Sequence, residues 1–254
     1  MSQAHETRVA AQFGPRAKAY VESAVHARGP DLEALEAVVS AARPARALDL
    51  GAGGGHVSYV LARHARSVVA ADLSPEMLAA VRAAASARGL DNIETAEAPA
   101  EKLPFEAGVF DFVASRYSAH HWRDFRAGLR EARRVASRGA GAVFMDAYSP
   151  GPALLDTHLQ AVELLRDTSH VRDYTAAEWV AALAAAGFAI AGVKTFRIRM
   201  DYPVWIARMR TPDENARAIR VLQETAASET RSHFEIEADG SFMLDVLAIE
   251  AKAA

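Results

Sequence analysis

The stretch Ala47-Leu48-Asp49-Leu50-Gly51-Ala52-Gly53-Gly54-Gly55-His56 restricts the possible folds more than any other part of the chain. Arg46 to Leu50 reads as a short apolar strand running into a loop too rich in glycine to pack as an element. Val57 to Ala65 then reads as a helix, with Val57, Val60, Leu61 and His64 on one face. A strand, a glycine turn and a helix in that order form the front of a nucleotide-type site. Glycine supplies the backbone angles, and its missing side chain lets a ligand lie against the main chain.

The spacing narrows the ligand. A dinucleotide fingerprint needs G-x-G-x-x-G; Gly51 and Gly53 fit it, but His56 stands at the third glycine position. What the chain has is Asp49-x-Gly51-x-Gly53-x-Gly55, and a carboxylate there suits a ligand carrying a cation better than a pyrophosphate. Asp72 closes the second apolar run, Ser67 to Asp72, about 20 residues beyond the first glycine, where an acid at the next strand tip reaches ribose hydroxyls. Ser74-Pro75 follows as N-cap and first helical residue. Read structurally, Asp72 would only open a turn.

Four segments together resemble a known family. Leu48 to Gly55, Asp72-Leu73-Ser74-Pro75-Glu76-Met77, Glu101-Lys102-Leu103-Pro104-Phe105 and Phe110-Asp111-Phe112-Val113 are similar to the successive motifs of class I S-adenosylmethionine-dependent methyltransferases. The Leu-Pro-Phe segment most resembles the ubiquinone/menaquinone C-methyltransferase branch, and Ser115 to Trp122 resembles bacterial relatives of that branch. The resemblance covers Arg46 to Ala147 firmly. It implies an α/β fold, a doubly wound, mostly parallel seven-stranded sheet with N-terminal helices and helical lid insertions. It also implies S-adenosylmethionine as cofactor and S-adenosylhomocysteine as product. Asp49 would hold the methionine ammonium, with Gly51, Ala52, Gly53 and Gly55 giving backbone access. Asp72 would accept from the ribose, Leu73 and Met77 would flank adenine, and Ser115 and Arg116 would lie where the methionine end meets the acceptor. Relatives often carry an Asp two residues before the Glu of Glu-x-Leu-Pro-Phe; here Pro99 replaces it. The position of the loop therefore carries over, with Ala98, Ala100 and Glu101 at the adenine edge, but no carboxylate role does. An aromatic of the N-terminal segment touches the cofactor in the family, and Tyr20 and His26 are the candidates.

Composition bounds the rest. At 254 residues and 51% hydrophobic, the chain holds one α/β domain plus extra helices. We expect 1–45 to be cap helices, 46–147 the cofactor-binding core, and 148–175 and 201–233 lid insertions. A net charge of −3 gives no basic field for nucleic acid. The Asn/Asp-Pro-Pro-aromatic motif of base-methylating enzymes is missing where Ser115-Arg116-Tyr117-Ser118 stands. With no cysteine there is no disulfide or thiol nucleophile. Met1 to Arg8 lacks an apolar signal core, and no apolar run reaches spanning length; a soluble cytoplasmic protein is the expectation.

Along the chain, Gly14-Pro15 should break the first helical stretch, and a helix from near Asp31 should end before Pro44. Strands are expected at Asn92–Ala96, Phe110–Ser115, Ala140–Asp146, Phe188–Met200 and Phe242–Glu250, the last antiparallel by family resemblance. Thr175-x-x-Glu178 is a capping box, and Thr211-Pro212-Asp213-Glu214 reads as a second helix start with Thr211 as N-cap. Met200, Tyr202, Trp205 and Met209 are expected to wall an apolar acceptor chamber. The alternatives for these side chains are ordinary secondary core or a homodimer interface.

The implied reaction is methyl transfer to a small, aromatic or lipophilic acceptor by in-line displacement, needing no metal. If a proton must leave, His120 or His121, just beyond the fourth strand, is the candidate base, with His56 a further option; each could equally be structural. No H-E-x-x-H or acid-rich companion makes the His pair a metal site. The competing readings are a nicotinamide-dependent oxidoreductase, disfavoured by Asp49 and His56, and a cofactor-binding module without turnover.

Overall fold

The computed structural model describes residues 2–17, 21 and 29–254. Seven strands, β1 (Arg46–Leu50), β2 (Ser67–Asp72), β3 (Ile93–Glu97), β4 (Phe110–Arg116), β5 (Ala136–Ala147), β6 (Phe188–Met200) and β7 (Phe242–Ala253), form one sheet in the order 3-2-1-4-5-7-6. β1 to β5 are parallel, and β7 inserts antiparallel between β5 and β6. The strand order turns back on itself between β1 and β4, which opens a crevice beyond their carboxyl ends.

The helices are α1 (Ser2–Phe13), α2 (Pro30–Ala42), α3 (His56–Ala62), α4 (Pro75–Ala87), α5 (Phe125–Val135), α6 (Ala153–Arg166), α7 (Ala176–Ala186), α8 (Tyr202–Met209), α9 (Asp213–Glu224) and α10 (Ser228–His233). Leu35 and Val39 of α2 and Val57 and Leu61 of α3 pack on one sheet face around Phe112. On the other, Leu129 of α5 and Trp179 and Leu183 of α7 close over Phe144. A third cluster lies beyond the strand ends, where Leu159, Trp205, Ile219 and Phe234 meet Phe242 and Leu244. No helix among the described residues is long and apolar enough to cross a membrane.

Most expected elements recur, and the departures have local causes. Pro15 sits in a short 3₁₀ turn, Gly14–Arg16, after α1. α3 stops at Ala62 rather than Ala65 because the Asn92 side chain takes the Ala62 and Ala65 carbonyls, at 2.9 and 3.1 Å. β3 begins one residue on, at Ile93, although the Asn92 carbonyl already accepts from Val68 N at 2.9 Å. β5 starts at Ala136, directly after α5, and a shift in register opposite Phe110 and Phe112 accommodates the extra residues before Gly141. The expected N-cap role of Thr211 is corrected: its hydroxyl donates to the Arg166 carbonyl at 3.1 Å, and α9 begins after Pro212 without a side-chain cap. The Thr175–Glu178 capping box forms on both sides.

Candidate active site

The loop after β1 lies at the crevice. Gly51 takes φ +74°, and a Cβ there would fall 1.8 Å from Ser118 Oγ, so only glycine lets the turn after β4 approach. Gly53, at φ +49°, has nothing within 4 Å of a Cβ position. Its N–H donates to Asp72 Oδ2 at 2.8 Å, while Asp72 Oδ1 accepts from Ser74 N at 2.9 Å. Asp72 thereby ties the glycine loop to the tip of β2, and burial holds its carboxyl above the ordinary range. Asp49 is 1% exposed; Oδ2 accepts from Ser58 Oγ at 2.6 Å and Oδ1 has no hydrogen-bond partner. Burial, only partly offset by the Ser58 hydrogen bonds, pushes its carboxyl up to about 7. A buried carboxylate oxygen without a donor is costly unless a ligand supplies one.

These groups open on one cavity at the carboxyl end of the sheet. Asp49, Gly51, Ala52, Gly53 and Asp72 line one end, followed by Leu73, Met77, Ala98, Ala100 and Glu101. Arg116, His120, His121 and His56 also line it. Gly55 does not: it is the residue before α3, packed against the Tyr59 ring. Ser115 is also off the lining, because strand alternation turns its buried side chain away from the face that Arg116 takes. Tyr20 and His26 lie outside the described residues. Among those described, the aromatic that the N-terminal segment brings to the cavity is Phe13, edge-on to the His121 ring at 4.9 Å.

Beyond β4 the chain turns sharply. Tyr117 takes φ +49°, unusual for a bulky residue, and the 3₁₀ turn Ala119–His121 follows. Asp146, at the end of β5, organises that turn: it accepts from Ala119 N at 2.9 Å and from His120 Nδ1 at 2.5 Å. Nε2 is then the ring nitrogen of His120 left for a ligand. Burial pulls His120 down, but the charge and hydrogen bond of Asp146 outweigh it, and the ring is pushed up to about 9. Burial and the charge on His120 push His121 down to about 3, so His121 is the neutral partner, its Nδ1 donating to Ser169 O at 3.2 Å. Arg116 is locked against Asp31 of α2, Nη2 to Oδ1 at 3.1 Å, with both side chains buried.

The expected apolar wall divides. Met200 and Trp205 line the cavity with Ile198 and Leu244, whereas Tyr202 and Met209 are core side chains, Tyr202 donating to the Ala216 carbonyl at 2.6 Å. Sequence reasoning also missed acidic residues there, Glu163, Asp167 and Asp173. Their spacing matches no motif, and only the fold brings them together. Among the described residues no His, Asp or Glu group is arranged to hold a metal ion.

Known proteins resemble this chain over most of its length. The methyltransferase domain family matches residues 48–144, from β1 into β5. The Escherichia coli protein YafE is 43% identical over 200 residues, 79% of this chain and 97% of that protein. The uncharacterized methyltransferase YcgJ of Bacillus subtilis is 31% identical over 222 residues, 87% of this chain and 88% of its own. The chain belongs to the class I S-adenosylmethionine-dependent methyltransferases. The crystal structure of YcgJ superimposes on this methyltransferase with a TM-score of 0.83 at 29% identity, covering 87% of this chain and 97% of YcgJ. A demethylmenaquinone methyltransferase of Thermus thermophilus is 38% identical over 111 residues, 43% of this methyltransferase and 50% of that enzyme.

Proposed function

We propose that this methyltransferase binds S-adenosylmethionine along the tips of β1 and β2 and methylates a small acceptor held beneath α1, α6 and α8. The observation that carries this reading is the continuity of the cavity: one space joins Asp49 and Asp72 to the Met200 and Trp205 wall, and Phe13 of α1 borders it. A macromolecular acceptor would need an open face at that place.

The residues present fit the cofactor. The unpartnered Oδ1 of Asp49 suits an ammonium, and the Cβ-free space at Gly53 admits a ligand against the main chain. Asp72 would take the ribose hydroxyls, since each of its oxygens keeps acceptor capacity beyond its one backbone bond. Leu73 and Met77 would flank adenine, and the backbone at Ala98 and Ala100 would meet the ring edge. When bound, the cofactor supplies a methyl group on a cationic sulfur, open to in-line attack by the acceptor. His120, its Nδ1 held by Asp146, is placed to take an acceptor proton on Nε2 when the ring is neutral. α1 and the segments 148–175 and 201–233 act as the lid that keeps water from this step.

Cell extract divided into low-molecular-weight, protein and nucleic-acid fractions, incubated with methyl-labelled cofactor and the enzyme, tests the acceptor class. Label is expected in the low-molecular-weight fraction. Label confined to protein or nucleic acid contradicts the reading.

A further inference from the structure

The far end of the cavity is more acidic than an apolar acceptor requires. Glu163, Asp167 and Asp173 all line it and all are buried. Asp167 is satisfied by Ser169, accepting from its N–H at 2.8 Å and its hydroxyl at 2.6 Å. Glu163 has Arg166 Nη1 at 3.4 Å. Asp173 differs: it is 1% exposed, and its Oδ2 makes no hydrogen bond. His170 Nε2 stands 3.9 Å from that oxygen, beyond hydrogen-bonding distance, and is engaged with Gln160 Oε1 at 3.0 Å. Arg172, the preceding residue, turns away to Asp156 at 3.2 Å and Glu178 at 3.8 Å.

The charges here do not balance. With Asp146 beneath the histidine turn, four buried carboxyl groups meet two buried or half-buried cations within ion-pair distance, His120 and Arg166. Burial and the charge of His120 push His121 down to about 3 and His170 to about 2, so neither ring adds a charge. Of the remaining arginines on the lining, Arg116 is already paired with the buried Asp31, Arg123 is exposed to water and salt, and Arg208 is half-buried in the last turn of α8. Burial, and then the charges of Glu163 and Asp146 against the pull of His120, push Asp173 up to about 8. Glu163 is likewise held above the carboxylate range, chiefly by burial. An anionic acceptor would push these carboxyls further up and a neutral one would leave them protonated, whereas a cationic group beside them lets them ionise and form a charge-paired hydrogen bond.

We propose that this end of the cavity seats a cationic nitrogen of the methyl acceptor, with Asp173 Oδ2 and Glu163 as its hydrogen-bond acceptors. The body of the acceptor then lies on Ile198, Met200, Trp205 and Leu244. The inference rests on the reading of this cavity as the methyl-transfer site, and it adds the chemical class of the acceptor: an apolar body carrying an amine.

Calorimetry on the full chain saturated with S-adenosylhomocysteine tests it. The probes are three matched sets with phenyl, naphthyl or octyl bodies, each ending in an aminomethyl, a hydroxymethyl or a carboxylate group. In at least one set the amine should bind ten-fold or more tighter than both partners. Asp173→Asn and Glu163→Gln should each cut that preference at least five-fold. Binding of S-adenosylhomocysteine by either variant shows that it has folded, and the second variant serves if the first does not fold. No amine preference in any set, including no binding at all, overturns the inference, as does a preference that survives both substitutions. Failure of the parent protein to bind S-adenosylhomocysteine would instead remove the cofactor reading beneath it.

Discussion

Asp49 and Asp72 stand at neighbouring strand tips, yet the protein satisfies them differently. Asp72 is bonded to the main chain on both oxygens, whereas Asp49 has an oxygen with no donor. The carboxyl of Asp49 moves from 3.8 to about 7 on folding, so its contribution to stability is complete below about pH 4 and is lost as pH rises through 7. Urea denaturation of the ligand-free protein should therefore show a smaller loss of stability between pH 5 and 8 in Asp49→Asn than in the parent. An equal loss in both would mean that Asp49 is not the strained group. The two glycines make a second contrast. Gly51→Ala drives a methyl into Ser118 and should cost several kcal/mol of stability, whereas Gly53→Ala meets open space and should cost about 1 kcal/mol for its left-handed backbone. Cofactor affinity in Gly53→Ala should nevertheless fall ten-fold or more, because the new methyl occupies ligand space. For His120, held at about 9 by Asp146, turnover should rise with pH toward 9, and His120→Ala should flatten that profile while S-adenosylhomocysteine binds within two-fold of the parent. Motif spacing made Asp49, the glycines and Asp72 legible in the sequence. Asp146 was not, because an acid at the end of a strand has no local signature until the fold sets it against a histidine 26 positions earlier.

At the scale of elements, the N-terminal helix α2 is fastened to the sheet by one buried ion pair, Asp31 to Arg116. Breaking a buried pair by removing one member is costly, so Asp31→Ala should destabilise the protein by roughly 3–5 kcal/mol, read as a lower urea midpoint. A loss under 1 kcal/mol would show that packing alone holds the helix. Helix and strand positions were readable from periodicity and punctuation where local chemistry decides them, as at Ser74-Pro75 and Thr175-x-x-Glu178. They were misread where a distant partner competes. Thr211 bonds the carbonyl of α6 rather than the start of α9, and the Asn92 side chain bonds the Ala62 and Ala65 carbonyls where α3 ends. The apolar composition of this segment suggested Met200, Tyr202, Trp205 and Met209 together as a chamber wall, but only the folded chain decides that Met200 and Trp205 face the cavity while Tyr202 and Met209 face the core.

The whole molecule places its chemistry where its topology reverses. β1 and β4 diverge into oppositely directed halves of the sheet, and the cavity lies at their carboxyl ends, bordered by α1 and by residues of α6 and α8. The seven-stranded, mostly parallel sheet with an antiparallel last strand followed from the family resemblance, but the union of cofactor end and acidic far end in one cavity is a property of the assembled chain. The central claim is that Asp49 and Asp72 together hold a sulfonium nucleoside across the glycine loop. Titrating the pure protein with S-adenosylmethionine and S-adenosylhomocysteine by calorimetry tests it most directly. Saturable binding of both is expected, weakened ten-fold or more in Asp72→Ala and in Asp49→Asn, about 1.4 kcal/mol or more each. No heat with either compound, or full affinity in both variants, would contradict it.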